Sequence, residues 1–231
     1  MRFSLIKLFS MVLLCVLAKT QTFAQYRYPF YDTDSHVTMQ LQMGTQGIGG
    51  DLRYAFDNRI SVRGGASFIP IKANNLFAFS GFEGTTSASV KFSNVHLLAD
   101  FVPFENARGF RLVGGAGYLY QANGGISLFP SGNYKVGNYN IAGEDLGQLN
   151  MNVSWKGIAP YLGIGLFKSV PSSLFNVNLD MGTYYLSQPQ SQIVGTNLLS
   201  DNYKLEPQLN SNIKGYRWLP VLQLNFAFKI Q

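Results

Sequence analysis

Residues 218–230 read Trp-Leu-Pro-Val-Leu-Gln-Leu-Asn-Phe-Ala-Phe-Lys-Ile, and alternate positions fall on two unlike faces. Trp218, Pro220, Leu222, Leu224, Phe226, Phe228 and Ile230 form a wholly apolar face, opposite Leu219, Val221, Gln223, Asn225, Ala227 and Lys229. A period of two is that of a β-strand, whose successive side chains point to opposite sides. Seven earlier segments repeat the pattern: 36–44, 47–56, a third beginning at Ile60, 88–104, 110–120, 158–167 and 175–185. No charged residue falls on the apolar face of any of the eight. The other faces carry Asp51, Arg53, Arg63, Lys91, His96, Asp100, Arg111, Asp180 and Lys229.

That distribution sets inside against outside. A water-soluble barrel turns its charges outward and its apolar side chains inward. Here the reverse holds, which suits a barrel surrounded by lipid, where an outward Arg or Lys at mid-membrane costs about 2–4 kcal/mol. Beyond the first residues there is no apolar run long enough for a spanning helix, so entry into a membrane requires a closed barrel. The expected fold is therefore all-β, an antiparallel eight-stranded transmembrane β-barrel over residues 36–231. Short turns follow the second, fourth and sixth strands, and long loops (71–87, 121–157, 186–217) follow the third, fifth and seventh, the asymmetry of outer-membrane barrels.

Two places leave the strand pattern open. The link Thr45-Gln46 is short and has no glycine at its centre, so the first two strands could be one long bent strand. In the fourth strand Val90 and Phe92 match one phase, and Val95, Leu97, Ala99 and Phe101 the other; a bulge near Ser93-Asn94 would turn all of them outward. Weak alternation at 134–141 and 149–155 predicts a partly ordered hairpin above the membrane.

Residues 1–24 have the three parts of a secretory signal: Arg2 and Lys7, the apolar run 8–17, and Thr22-Phe23-Ala24 before Gln25. Residues 25–35, with Tyr26, Tyr28, Phe30 and Tyr31 around Pro29, form an N-terminal leader that suits a membrane interface. Loss of Arg2, Lys7 and Lys19 with the signal lowers the formal charge from +6 to +3. With that balance and no basic cluster, nucleic acid is not an expected partner. The only cysteine, Cys15, lies within the apolar run of the signal, so the mature chain has no disulfide and no thiolate chemistry.

The lumen of an eight-stranded barrel is only wide enough for side chains to fill it. Its charges are expected to pair into a plug, since an unpaired buried charge is costly; the alternative is a charged constriction for ions. Catalysis finds little footing. His36 and His96 are the only histidines; His96 and Asp100 lie on one face but roughly 13 Å apart along the strand, leaving only a partner from a neighbouring strand. The two histidines lack a third metal ligand. Gly47-Ile48-Gly49-Gly50 and Gly114-Gly115-Ala116-Gly117 precede no helix and make no nucleotide loop. No cofactor is expected. In loop 121–157 Lys135 and Lys156 balance Glu144 and Asp145; the tyrosines and amides of the long loops suit contact with an extracellular protein or glycan.

The run Asp100-Phe101-Val102-Pro103-Phe104, then Ala159-Pro160-Tyr161-Leu162-Gly163-Ile164-Gly165, then Leu179-Asp180-Met181-Gly182-Thr183-Tyr184-Tyr185 with Pro189 soon after, and finally 216–221, follow one another in the C-terminal half. In this order they resemble a family of small bacterial outer-membrane β-barrel proteins with no assigned activity. The resemblance implies an eight-stranded barrel of the OmpA/OmpX type and brings no catalytic residue. The ending Phe228-Lys229-Ile230-Gln231 departs from the terminal aromatic that barrel assembly machinery reads in such proteins. The expected role is that of an integral protein of the bacterial outer membrane, structural or acting through its loops. A narrow passive channel is the alternative, and a membrane-embedded hydrolase the third.

Overall fold

The computed structural model describes residues 37–74, 83–136, 139–171 and 174–230. The expected signal and leader, His36, the loop residues Leu76, Phe77, Phe79 and Phe82, and Gln231 lie outside these. In chain order the strands are β1 (Val37–Gly44), β2 (Gly47–Ala55), β3 (Ile60–Asn74), β4 (Gly84–Phe101), β5 (Phe110–Pro130), β6 (Asn133–Val136), β7 (Tyr139–Ala142), β8 (Leu149–Leu166), β9 (Phe175–Tyr185), β10 (Gln190–Gly195) and β11 (Trp218–Lys229). Two short helices, α1 (Gly143–Leu146) and α2 (Glu206–Ile213), lie in the long connections.

Eight strands close into one antiparallel ring, β1-β2-β3-β4-β5-β8-β9-β11, with β11 pairing back onto β1. These are the eight segments that alternate in the sequence. Closure leaves the spanning strands no edge, which is what a backbone in lipid requires. The register also climbs around the ring. The row Gln40, Asp51, Gly65, His96, Gly117 and Ala159 leads from the middle of β1 to a point on β8 above its topmost pair with β9. The strands are therefore tilted, as barrel closure demands.

Burial is inverted relative to a water-soluble protein. Gln40, Asn178, Asn225 and Arg111 are 0% exposed, whereas Leu97 is 62% and Leu162 72% exposed. Leu97 sits within the outward apolar stretch Val95, Leu97, Ala99 and Phe101 of β4. Leu97→Arg is expected to lower barrel stability by about 2–4 kcal/mol, read from the urea midpoint of protein folded into vesicles.

β1 and β2 are separate strands. Gly44 pairs with Gly47 across the two-residue link, and the glycine that the link lacks at its centre is supplied by Gly47 at φ +88°. Thr45 fastens the turn to β11: its N–H donates to Leu222 O (3.0 Å), and its hydroxyl donates to Pro220 O (3.2 Å) and accepts from Leu222 N–H (3.0 Å). At the opposite end Asp57 Oδ1 accepts the N–H groups of Arg59 and Ile60 (2.6 Å each), which hold its carboxyl below the usual carboxylate range.

The strands run further than the alternation indicates. Much of 71–87 and 121–157 is strand: β3 reaches Asn74, β4 starts at Gly84, β5 reaches Pro130 and β8 starts at Leu149. Beyond the apolar belt both faces meet water, so the ladder continues while the hydropathy pattern that reports it disappears. The 149–155 alternation belongs to β8, and 134–141 falls in the β6–β7 hairpin. In the last loop α2 covers the free edge of β10: Glu206 accepts Ile193 N–H (2.7 Å) and Asn210 Oδ1 accepts Ser191 N–H (2.7 Å). Side chains thus replace the missing strand, protecting an edge that would otherwise invite pairing.

One expectation is corrected. The register shift opposite Ser93/Asn94 is present, but the extra residue is in β5, between Leu119 and Ala122, where its ladder with β8 shifts too. β4 runs against β3 without interruption. With no bulge of its own, β4 keeps one phase: Phe92 turns inward and is buried, and Lys91 turns outward and is exposed.

Candidate functional site: the lumenal charge network

Strand alternation aims polar side chains from every wall at one interior, and seven of the nine charged residues singled out above meet there. Arg53 of β2 and Arg63 of β3 are direct cross-strand partners. Like charges in that position repel, so the pair needs acids close by. Asp100 of β4 supplies one carboxylate: Arg53 donates to it in a short ion pair, Arg111 of β5 donates from Nη1 at 2.9 Å, and Arg63 Nε stands 3.6 Å away. Asp180 of β9 supplies the second, accepting from Arg111 Nη2 (2.8 Å), Arg63 Nη1 (2.7 Å) and Asn225 Nδ2 (2.7 Å). Three arginines and three aspartates balance.

The third carboxylate, Asp51, holds the polar flank. It accepts from Gln42 (2.9 Å) and Gln40 (3.4 Å), faces His96 Nε2 at 2.8 Å and lies 3.5 Å from Arg63. His96 thus finds its acid on β2, two strands away, and not at Asp100. Gly65 of β3 stands between them. A Cβ there would overlap Asp51 Oδ1 and Gly50 O, so only glycine lets the imidazole and carboxylate meet across the intervening strand. Gly165 does the same for Arg111, since a Cβ at that position would overlap the guanidinium. These lumenal glycines are packing devices, as expected of glycine inside barrel strands.

Arg63 contacts all three aspartates. Its bond to Asp180 joins β3 to β9, which stand four strands apart in either direction around the ring. The pair therefore crosses the barrel. Against this network packs a second interior layer, in which Tyr161 and Tyr184 lie with ring centroids 4.7 Å apart beside Leu98, Val113, Leu119 and Phe92.

Two residues do not join. Lys91 is outward, for the reason of phase given above. Lys229 keeps its inward phase but sits half-buried at the end of β11, outside the network. Sequence reading in turn passed over the neutral partners: Asn178, which accepts from Arg111 (2.9 Å) and Asn225 (2.9 Å), and Asn94, whose Oδ1 faces His96 Nδ1 at 2.9 Å. Their parity was the available signal, since each shares its strand face with a charged residue. Both ring nitrogens of His96 face an oxygen, Nε2 that of Asp51 and Nδ1 that of Asn94. Among the described residues no group of three His, Cys, Asp or Glu is placed to hold a metal ion.

No protein-family model and no curated protein matches the chain. Solved structures do. CarO of Acinetobacter baumannii superposes with a TM-score of 0.60 at 24% identity, covering 87% of this chain and all (100%) of that one. CarO2 of the same organism superposes with a TM-score of 0.61 at 18% identity, covering 84% of this chain and 97% of that one. Both are outer-membrane β-barrels. This chain has their fold. At these identities the likeness extends to architecture, and the lumenal residues stand on their own geometry.

Proposed function

We propose that the protein is an integral barrel of the bacterial outer membrane, exported by residues 1–24 and closed to ion flow. On this reading its work is done by the structure that rises above the membrane. The observation that carries the closed lumen is the Arg63–Asp180 pair between opposite walls, flanked by Arg111 and Asp100. A lumen narrow enough for side chains to bond across it has no room for a continuous water column. The interaction surface is supported by the extended strands, the β6–β7 hairpin and the β10–α2 unit, which expose Tyr139, Leu198, Tyr203 and Tyr216. Tyrosines among amides suit an extracellular protein or glycan. Outer-membrane lipid surrounds the belt, and the barrel assembly machinery is the partner in insertion. The ring of eight strands fits the OmpA/OmpX type that the motifs suggested. A non-catalytic role agrees with the full engagement of His96.

The test is a planar bilayer containing protein whose folding has been verified by a mobility shift on boiling. No discrete current steps are expected; reproducible steps of one size would overturn the closed lumen in favour of a narrow channel.

A further inference from the structure

The apolar-outward pattern ends with the membrane belt, and above it nothing obliges a strand to alternate. Even so, β3, β4, β5 and β8 gather apolar side chains on one face there, and it is the opposite face. Three successive rows pair directly across these strands: Ile69, Phe92, Ala122 and Trp155; then Ile71, Val90, Gly124 and Val153; then Ala73, Ala88, Ile126 and Met151. The rows between them hold Lys91, Asn123 and Ser154, and Lys72, Ser89, Gly125 and Asn152. Because β4 keeps one phase, the apolar rows continue the lumenal side of the wall and the polar rows face out. Above the membrane the wall thus has the order of a water-soluble protein, apolar within and polar without.

The apolar side is not fully covered. The ladder of β2 with β3 ends at Ile48–Phe68 and that of β9 with β8 at Tyr184–Tyr161, so the wall rises beyond the strands that close the ring below. In the lowest row Phe92 and Ala122 are buried, and Ile69 and Trp155 pack against the same cluster; in the row above, Ile71 is 57% and Val90 47% exposed. Gly124 stands in that second row, and among the described residues a Cβ there would meet no atom within 4 Å. Its φ is not left-handed, so the backbone does not demand glycine, and the missing side chain leaves a hollow. Val90 and Val153 flank it from the two neighbouring strands, with about 9–10 Å between their backbones. Along β5 the larger side chains of Leu119 and Ile126 bound it below and above, which suits a ring and not a long chain. None of the three rows carries a charge, and the Arg63–Asp180 pair closes the lumen further down. A concave, uncharged surface left partly open to water is where a small apolar ligand binds.

We propose that the hollow at Gly124, between Val90 and Val153, binds a single uncharged hydrocarbon ring of a small molecule arriving from outside the cell. The site rests on the reading that the protein works through the structure above the membrane, and it gives that structure a ligand chemistry.

The test uses full-length mature protein folded in neutral detergent and an uncharged phenyl diazirine, photolysed and mapped by peptide mass spectrometry. Residues of the lipid-facing belt label in every variant and serve as the reference. In wild type, labelling is expected also at Val90, Gly124 and Val153, suppressed by toluene and not by benzoate at equal concentration. Gly124→Leu, which fills the hollow, is expected to lower that labelling about fivefold or more. Gly114→Leu adds the same side chain on the lipid face of β5, where a Cβ likewise meets nothing within 4 Å, and should label as wild type. Labelling confined to the belt, or undiminished in Gly124→Leu, overturns the site. Equal suppression by benzoate overturns the uncharged ligand. Labelling gained only when Leu76, Phe77, Phe79 and Phe82 are replaced by serine assigns the hollow to this chain's own segment and likewise overturns the ligand. The mobility shift on boiling, recorded for each variant, reports the barrel separately: its absence in wild type would sink the membrane reading, whereas its presence without labelling above the belt would sink only the site.

Discussion

Arg111→Ala is expected to destabilise the folded barrel by about 3–5 kcal/mol, the cost of leaving a buried ion network short of one charge. Arg111 joins Asp100, Asp180 and Asn178 from β5. Its loss leaves three buried carboxylates facing two guanidinium groups, and Arg53 is too far engaged with Asp100 to take over at Asp180. The space it vacates cannot be refilled from β8, because its neighbour there is Gly165. The measurement is a urea titration in vesicles, followed by the fluorescence of Trp155 and Trp218. A second variant separates charge from volume. Arg111→Ala combined with Asp180→Asn restores neutrality without restoring bulk, so it should recover a substantial part of the loss. If the single and double variants unfold at the same urea concentration as wild type, the network contributes nothing to the barrel and the plug loses its energetic basis.

Gly65→Ala should cost about 3 kcal/mol or more, although it adds a single methyl group. Overpacking alone accounts for about 1–3 kcal/mol. Here the new Cβ would overlap both a backbone oxygen, Gly50 O, and Asp51 Oδ1, so the carboxylate must leave His96 as well. Its sequence neighbour is the control. Gly64 points outward, and a Cβ there would meet Leu97 Cδ1 at 3.6 Å and His96 O at 3.8 Å, ordinary contact distances. Gly64→Ala is expected to change stability by no more than about 0.5 kcal/mol. Equal stability of the two alanine variants, judged by the fraction that keeps the compact unboiled mobility, would show that the His96–Asp51 contact does not depend on an open position in β3.

These adjacent glycines show where sequence reading is strong. Which face Gly64 and Gly65 occupy follows from counting by two from Arg63, and the same count put Asp51, Arg53, Asp100, Arg111 and Asp180 in the lumen. It succeeded there because a strand alternates regardless of what lies beside it. It failed at Lys91 and Phe92, where a true register shift in the β4–β5 ladder was assigned to β4 although the inserted residue is in β5. A bulge changes phase only on the strand that contains it, and hydropathy along β4 cannot say which of two partners has the extra residue. The extensions of β3, β4, β5 and β8 above the belt were hidden for another reason: with water on both sides, a strand has no need to alternate.

Alternation and the exclusion of charge from one face were sufficient to determine eight strands, an apolar exterior and a charged interior, because lipid acts on each residue according to its own face. The pairing inside was decided only by the closed ring. Asp51 reaches His96 over Gly65, and Arg63 reaches Asp180 across the barrel from 117 positions away in sequence. Such distances depend on tilt, register and closure, which belong to all eight strands together and to none of them singly.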